Sequence, residues 1–261
     1  MLAPESKVTA RELPGAAADV LERIRSKSPR VHCITNVVAQ NFTANMLLAL
    51  GATPSMTIAP DEIAEFMQRA DALLVNLGTL DPERRISMPL AIEKANERGI
   101  PWILDPVFVD RSKPRTEFAT TLITDHPKVV RLNRAEFAGL SGQDLDGATL
   151  ARFADASGAV IGLTGETDVV FDKGRLCCIS NGDPMMARVT AMGCAGSALI
   201  GACMAVEDDA WLATACGLLL LGIAGEVAAL RASGPGSLAV RILDTLYSID
   251  RALIAERARV V

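Results

Sequence analysis

The stretch ALLVNLGTLDPERRISMPLAIEKANERGIPWILDP, residues 72–106, decides the fold class of this chain. Two apolar runs, ALLVNLG at residues 72–78 and PWILDP at residues 101–106, have the length and composition of buried strands. The segment between them predicts a helix through residues 88–98. Continuous apolar strands that are joined by amphipathic helices are typical of a parallel sheet covered on both faces. The stretch therefore predicts one strand–helix–strand unit of an α/β fold.

The same alternation of helix and strand extends to both sides of this unit. Hydrophobic periodicity near 3.6 residues marks the helices, one of which ends at Gly51 as its C-cap, and short apolar runs mark the strands. The elements predicted in this way are helices at residues 16–27, 42–51 and 117–124 and strands at residues 30–36 and 128–133. Repetition of the unit favours one continuous parallel sheet.

The second half of the chain changes character. Residues 158–180, GAVIGLTGETDVVFDKGRLCCIS, hold three β-like runs, and the Asp-Lys-Gly turn at residues 172–174 indicates an antiparallel hairpin. We therefore predict an α/β fold with a mostly parallel central sheet, helices on both faces and an antiparallel edge hairpin. Residues 1–261 read as a single domain, in which residues 1–14 form a flexible N-terminal arm.

One segment is apolar enough to suggest a membrane span. Residues 211–230, WLATACGLLLLGIAGEVAAL, carry a single charge at Glu226. Membrane spans rarely tolerate such a charge, and the three glycines of the segment suit close packing in a protein interior. We expect this helix at the centre of a core or at a subunit interface, with no membrane partner.

Composition and charge exclude several classes of function. The 261 residues carry a net charge of −5 with no cluster of Lys or Arg, and 4% of them are aromatic, which argues against a nucleic-acid partner. The six cysteines form no C-x-x-C pair, and the N-terminus lacks the apolar region of a signal peptide. Both features favour a cytoplasmic protein with reduced thiols.

Polar residues collect where the predicted strands end, which is where open α/β sheets bind their ligands. The five ends carry Asn36, Gly78 with Thr79, Asp105, Asn133 with Glu136, and Thr164 with Gly165 and Glu166. Each could equally be a turn former or a helix cap. Neither a P-loop nor a G-x-G-x-x-G motif is present. A phosphate could instead bind the free amides at residues 190–194, where small residues open a helix.

Several segments together resemble the hydroxyethylthiazole kinase family of the ribokinase-like superfamily. The similarity runs in order from about Val31 to Ser237 and is carried by VHCITNVVAQNFTANMLLALGATPSM, ALLVNLGTL, PWILDPV, RLNRAEFAGLSG, LTGETDVVFDKGR, NGDPMMARVTAMGCAGSA and SGPGS. The resemblance implies a ribokinase-like fold and transfer of the ATP γ-phosphoryl group to the hydroxyl of 4-methyl-5-(2-hydroxyethyl)thiazole in thiamine salvage. It also implies Mg²⁺ and a homotrimer with active sites between subunits.

The resemblance assigns roles by position. It implies substrate binding by Met56, Asn36 and Ala191, ATP binding by Arg131, Thr164, Asn133, Met192 and Gly193, and Mg²⁺ binding by Asp105 and Glu136. Cys194 takes the position of the catalytic residue. We expect it to orient the substrate hydroxyl and to accept the proton late. The helix N-terminus should lower the pKa of the thiol, and the like charge of a transferring phosphate should push the thiol back towards its neutral form.

The sequence departs from the family pattern along the phosphate path. The usual Gly-Thr-Gly-Cys turn is replaced by Ala191-Met192-Gly193-Cys194, and a side chain at position 191 is tolerable only with a negative φ. The usual Gly-Asn-Ala-Ser after Arg131 becomes residues 132–135, Leu-Asn-Arg-Ala, which we expect to add bulk and charge near the nucleotide. Asp110 replaces a glycine near the metal acids. Two alternatives stay open, namely a kinase for another small alcohol such as hydroxymethylpyrimidine and a non-catalytic thiazole-binding homologue.

Overall fold

A computed structural model describes residues 9–261 of the chain. Its centre is one eight-stranded sheet with the order β2-β1-β3-β4-β5-β6-β7-β8. The strands are β1 (Arg30–Ile34), β2 (Thr53–Ser55), β3 (Ala72–Asn76), β4 (Trp102–Asp105), β5 (Val129–Asn133), β6 (Val160–Thr164), β7 (Asp168–Asp172) and β8 (Arg175–Ile179). The helices are α1 (Leu13–Lys27), α2 (Gln40–Leu50), α3 (Ile63–Met67), α4 (Pro82–Arg98), α5 (Lys113–Ile123), α6 (Arg134–Ser141), α7 (Gly147–Ser157), α8 (Met192–Met204), α9 (Ala210–Ala229), α10 (Pro235–Ser248) and α11 (Arg251–Arg257).

The strand directions confirm the predicted fold class. Strands β1 to β6 pair in parallel, whereas β7 and β8 pair antiparallel at one edge. Asp172 and Arg175 flank the two residues of the hairpin turn, where Lys173 and Gly174 both have positive φ. This is the turn that the Asp-Lys-Gly motif predicts.

Two hydrophobic cores cover the two faces of the sheet. One core packs α1, α2, α8, α9 and α10 against the first face, and the other packs α3 to α7 against the second. Successive strand residues alternate between the two cores, as Leu74 and Ile103 belong to the first core and Leu73 and Leu104 to the second. The odd–even position of a residue within its strand therefore decides which helix layer its side chain faces.

Helix α9 is the apolar segment that resembled a membrane span. It is long and apolar enough to cross a bilayer, but 83% of its most apolar window is buried inside the protein. Its one charge, on Glu226, pairs with Arg259 at 2.8 Å and accepts a hydrogen bond from Asn181. The expectation of a central core helix is confirmed, because α9 packs against β6, β7, β8, α8 and α10.

Four helices begin earlier than the sequence pattern indicates, and the smallest difference is that of α2, which starts at Gln40 rather than Phe42. Helix α4 starts at Pro82 rather than Met88, since Asp81 caps its N-terminus by accepting from the Arg84 amide. Helix α5 starts at Lys113 rather than Glu117, with a proline in its first turn. Helix α1 starts at Leu13, whose side chain is fully buried, so the tail end of the predicted flexible arm is part of the packed structure. Residues 1–8 of that arm lie outside the described residues.

Candidate active site

Three polar side chains near the carboxyl ends of strands lie on one face of the sheet, under the N-terminus of α8. They are Asn76, Asp105 and Arg131. The residue two positions before each of them in its strand belongs to the core that contains α8, so each side chain faces that core's side of the sheet. Asn76 lies directly beside Asp105 in the register of β3 and β4. Carboxyl ends of parallel strands share one edge of a sheet, so side chains far apart in sequence converge here.

Five side chains form a hydrogen-bond network beneath the start of α8. Asn76 Nδ2 donates to Asp105 Oδ2 at 2.7 Å, and Ser197 Oγ donates to the same oxygen at 2.9 Å. Asn36 Nδ2 donates to Asn76 Oδ1 at 3.1 Å and to Cys194 Sγ at 3.2 Å. The network thus connects Cys194, on the helix, with Asp105, at the end of β4.

Asp105 is fully buried and only partly neutralised. Its Oδ1 atom has no hydrogen-bond partner, and the Arg131 Nη1 atom lies 3.9 Å away. Burial raises the pKa of Asp105, while the Arg131 guanidinium and the hydrogen bonds from Ser197 and Asn76 offset part of the rise. A buried carboxylate oxygen without a partner is a group that a cation would satisfy.

Glu136 is the second carboxylate of the site. It forms a capping box with Asn133 at the start of α6, and the Phe108 amide donates to Glu136 Oε1 at 3.3 Å. Burial and the charge of Asp105 raise the pKa of Glu136. Such mutual repulsion is relieved by a divalent cation held near both groups. Among residues 9–261 no group of three or more His, Cys, Asp or Glu side chains is placed to hold a metal. Asp105 and Glu136 are two carboxylates. That small set fits Mg²⁺, which takes one or two carboxylates and completes its shell with water and phosphate oxygens.

A cavity of about 860 Å³ opens on the other side of the α8 N-terminus. Arg131, Thr164, Met192 and Gly193 line it, as does Asp168, whose pKa burial raises to about 6. The volume lies within the range of small-molecule and cofactor pockets. Four of the residues that the family resemblance associates with ATP therefore surround one cavity.

Two expected obstructions of this cavity are absent from its lining. Leu132 is fully buried in the core on the opposite face of the sheet, one position away from Arg131. Leu132 therefore adds no bulk to this cavity, because neighbouring strand residues point to opposite faces. Arg134 is solvent-exposed and lies outside the cavity lining. The carboxylate of Asp110 pairs with Arg111 at 3.2 Å.

Gly193 brings the backbone of α8 against the guanidinium of Arg131. A Cβ atom at position 193 would lie 2.8 Å from Arg131 Nη1 and 2.9 Å from Nη2. The first backbone hydrogen bond at this end of the helix runs from the Ala195 amide to the Ala191 carbonyl. The amides of residues 192–194 precede it and, like all first-turn amides, lack partners within the helix. The guanidinium and the helix N-terminus therefore form one positively polarised corner.

Cys194 differs from its sequence-based expectation in its ionisation. The helix N-terminus was expected to lower the pKa of the thiol, but burial raises it to about 11 and the nearby charge of Asp105 adds to the rise. Hydrogen bonds from Asn76 and Asn36 and the charge of Arg131 offset only part of this. At neutral pH the thiol is therefore protonated.

Ala191 precedes α8 in a left-handed conformation. Its φ is 68°, so the condition of a negative φ for a side chain at this position is not met. For a residue other than glycine this conformation costs about 1 kcal/mol or more. The alanine that replaces the usual glycine is thus a strained residue at the mouth of the site.

We predict that Ala191→Gly stabilises the protein. The substitution relieves the backbone strain, and the extra entropy of glycine in the unfolded chain cancels part of the gain. We expect a rise in melting temperature of about 1–3 °C, measured by differential scanning calorimetry. Ala255→Gly, in the interior of α11, is the matched control and should lower the melting temperature. A lower melting temperature for Ala191→Gly would show that position 191 carries no strain.

Two other predicted site residues, Met56 and Asn133, are not among the five side chains of this network. Met56 follows the edge strand β2 and packs half-buried against the core. The side-chain oxygen of Asn133 accepts from the Glu136 amide, and Asn133 is outside the cavity lining. Their roles stay predictions. Sequence reasoning missed Asn76 and Ser197, although a polar residue at the end of the apolar run ALLVN was a signal for the first.

Comparisons with known proteins agree on one family. A sequence profile of the hydroxyethylthiazole kinase family matches residues 21–252. A protein of Granulibacter bethesdensis named hydroxyethylthiazole kinase is 43% identical over 270 residues, which cover 98% of each chain. A solved structure of a hydroxyethylthiazole kinase protein from Pyrococcus horikoshii superposes with a TM-score of 0.89 at 38% identity, covering 94% of this chain and 98% of the other. A ribokinase-like superfamily protein from Enterococcus faecalis superposes with a TM-score of 0.67 at 16% identity, covering 90% of this chain and 95% of the other, which is a likeness of fold.

Proposed function

The chain belongs to the hydroxyethylthiazole kinase family, and on that premise we propose that it transfers the γ-phosphoryl group of ATP to the hydroxyl of 4-methyl-5-(2-hydroxyethyl)thiazole in thiamine biosynthesis. One observation supports this most: the start of α8 separates a cavity of nucleotide size from the Asn36–Cys194 pair. A phosphoryl group at this helix end would face the nucleotide on one side and an alcohol on the other.

The nucleotide binds in the cavity with its triphosphate directed at Gly193. The Arg131 guanidinium can hold two phosphate oxygens at once, and the free amides of residues 192–194 can donate to the oxygens of the transferring group. Thr164 and Met192 contribute to the same cavity wall. Preorganised donors at this position stabilise the charge that spreads over the phosphoryl oxygens during transfer.

Asp105 and Glu136 would hold Mg²⁺. The unpaired Oδ1 of Asp105 and the repulsion between the two carboxylates support this assignment. The bound ion would neutralise negative charge on the phosphate oxygens. Arg131 partly screens Asp105 in the free protein, and it would be available to phosphate if a cation neutralised that carboxylate.

The thiazole alcohol binds on the side of α8 that carries Cys194, next to Asn36, which follows β1. Asn36 Oδ1 is buried without a partner, so it can accept the hydrogen of the substrate hydroxyl. Cys194, as a protonated thiol, can donate to the hydroxyl oxygen and orient it. Met56, after β2, and Ala191, before α8, would supply apolar contact to the ring.

The transfer requires no strong base in the protein. The hydroxyl oxygen forms a bond to the γ-phosphorus while the bond from that phosphorus to the bridging oxygen breaks, and ADP leaves with the bond electrons. The hydroxyl stays weakly acidic until late in a loose transition state, and its proton then passes to a phosphoryl oxygen and to solvent. With a thiol pKa of about 11, Cys194 contributes orientation rather than basicity.

A coupled ADP-release assay tests the proposed function. We expect turnover with Mg²⁺, ATP and the thiazole alcohol, and none without the alcohol. Turnover with hydroxymethylpyrimidine alone would instead assign a different alcohol to the site. Thiazole binding by calorimetry without ADP release would indicate a non-catalytic homologue and contradict the proposal.

We predict that Cys194→Ala folds normally and lowers kcat about tenfold, because the hydroxyl loses one orienting contact. Cys194→Asp should stay active, since a carboxylate can both orient the hydroxyl and accept its proton. The measurement is kcat by ADP release, with Cys178→Ala, on the edge strand β8, as the control. An unchanged kcat in Cys194→Ala would remove Cys194 from the mechanism.

We further propose that the chain works as one kinase domain within a homotrimer in the cytoplasm. Large apolar side chains are exposed near the substrate region, including Val37 at 59%, Val38 at 68% and Leu48 at 58% of their maximum. Burial of such a group against a neighbouring subunit is favourable. Light scattering should give about three times the chain mass of 27.6 kDa. A monomer would contradict the assembly and an active site between subunits.

A further inference from the structure

Asn76 is a fully buried amide in the middle of the network, at the end of an otherwise apolar strand. Three of its polar contacts have good hydrogen-bond distances, from 2.7 to 3.1 Å. Such a residue either serves only the packing of the strand or fixes the orientation of its neighbours. The direction of its hydrogen bonds distinguishes the two.

The orientation of the Asn76 amide follows from its partners. Asp105 in its ionised form only accepts hydrogen bonds, so the Nδ2 end of Asn76 must face it. The Gly78 amide only donates, and at 3.0 Å it requires the Oδ1 end on the other side. Two independent partners therefore impose the same orientation on Asn76.

The orientation of Asn36 then depends on Asn76. Asn76 Oδ1 needs a donor from Asn36, so Asn36 Nδ2 points towards Asn76 and Cys194, and Asn36 Oδ1 is left buried and unpaired. Close packing limits any rotation of the amide, because a Cβ at Gly78 would lie 2.7 Å from both Cβ and Nδ2 of Asn36. The carboxylate of Asp105 thus determines, through two amides, where an acceptor for a ligand hydroxyl stands.

We propose that Asn76 is a positioning residue: its amide couples the Asp105 carboxylate to Asn36, so that the Asn36 carbonyl oxygen is presented to the hydroxyl of the substrate. This inference rests on the proposed function, since the hydroxyl is that of the thiazole alcohol. It adds a residue that touches neither the alcohol nor the phosphate. The coupling also joins the two halves of the site, because the same Asp105 carboxylate would hold the cation.

The test compares two ligands that differ only in the hydroxyl. The dissociation constants of 4-methyl-5-(2-hydroxyethyl)thiazole and of 5-ethyl-4-methylthiazole are measured by calorimetry for the wild type and for Asn76→Leu. We expect the wild type to prefer the alcohol about tenfold or more, because an unpaired buried acceptor penalises the ethyl compound. In Asn76→Leu the preference should fall to about twofold or less, and kcat should fall about tenfold while KM for ATP changes less than about threefold.

Controls separate positioning from general damage to the fold. Asn96→Leu removes a side chain that bonds the Asp125 carbonyl and Trp102 Nε1 at the other end of the sheet, and it should keep the preference for the alcohol. If thermal melting shows that Asn76→Leu is unfolded, Asn76→Ser gives the same readout, because serine is too short to reach Asp105 and Asn36 together. A preference unchanged in the folded variant overturns the role of Asn76.

The failure of this inference and that of the proposed function can be told apart. If the wild type turns over the alcohol but binds both thiazoles equally, or if the Asn76 variants keep the preference, only the positioning role is overturned. If the wild type neither binds nor phosphorylates the alcohol, the proposed function fails and the positioning role fails with it.

Discussion

Asp105→Asn should lower kcat/KM for ATP by about a thousandfold or more while the protein stays folded. The carboxylate is the group that connects the network and that would hold the cation, since Asn76 and Ser197 donate to Oδ2 and Oδ1 is unpaired. The amide can still accept from one donor, but it removes the negative charge that would bind Mg²⁺ and that Arg131 faces at 3.9 Å. Steady-state ADP release at varied Mg²⁺ measures the effect.

Stability provides an independent check on the same variant. Burial raises the pKa of Asp105 in the folded protein above the pKa of the same carboxyl in the unfolded chain. The protonated carboxyl therefore stabilises the fold fully at a pH below the pKa in the unfolded chain, and this stabilisation is lost as the pH rises through the pKa in the folded protein. A neutral amide avoids this loss, so Asp105→Asn should melt no lower than the wild type at pH 8. Asp155→Asn, at an exposed position of α7, is the control for activity and should be unchanged. Near-normal turnover of Asp105→Asn would contradict its assigned role.

Gly193→Ala should raise KM for ATP about ten- to a hundredfold with little effect on stability. The added Cβ would approach Arg131 Nη1 to 2.8 Å, so the guanidinium must leave its place beside the helix N-terminus. That movement costs the fold little, because the obstacle is the far end of a flexible side chain. The movement weakens nucleotide binding more, because the phosphates lose the two adjacent hydrogen-bond donors of the guanidinium.

The matched control for Gly193→Ala is Gly147→Ala, a substitution in the first turn of α7 where a new Cβ meets nothing within 4 Å. KM for ATP and the melting temperature are measured for both variants. We expect Gly147→Ala to match the wild type in KM. If KM for ATP were also unchanged in Gly193→Ala, the nucleotide phosphates would have to bind away from Arg131 and Gly193.

The fold followed from the sequence wherever local pattern and burial agree. Apolar runs such as ALLVN and WILD are strands because both faces of the sheet are covered, and Gly51 ends α2 with a φ of 106°. The early start of α4 escaped detection because its first turn, Pro-Glu-Arg-Arg, is polar and shows no apolar periodicity. Capping by Asp81 was the available signal.

The candidate site was predictable in outline, because strand ends of a parallel sheet converge. Adjacent strand residues face opposite sides of the sheet, so Arg131 lines the cavity whereas Leu132 lies in the other core. The sequence permitted this inference, although the two residues are neighbours in the chain. The pKa of Cys194 was not predictable, since the sequence shows a helix N-terminus but not how deeply the thiol is buried. Ser197 was inconspicuous as one small residue among many, and only the fold brings its hydroxyl to Asp105.

The most direct measurement is a crystal structure of the protein with a non-hydrolysable ATP analogue, Mg²⁺ and the thiazole alcohol. We predict that oxygens of the terminal phosphoryl group lie about 3 Å from the amide nitrogens of residues 193 and 194, with the guanidinium of Arg131 on the same group. The substrate hydroxyl should lie between Asn36 and Cys194. A nucleotide bound outside the cavity, or a terminal phosphoryl group that makes no contact with the start of α8, would contradict this account.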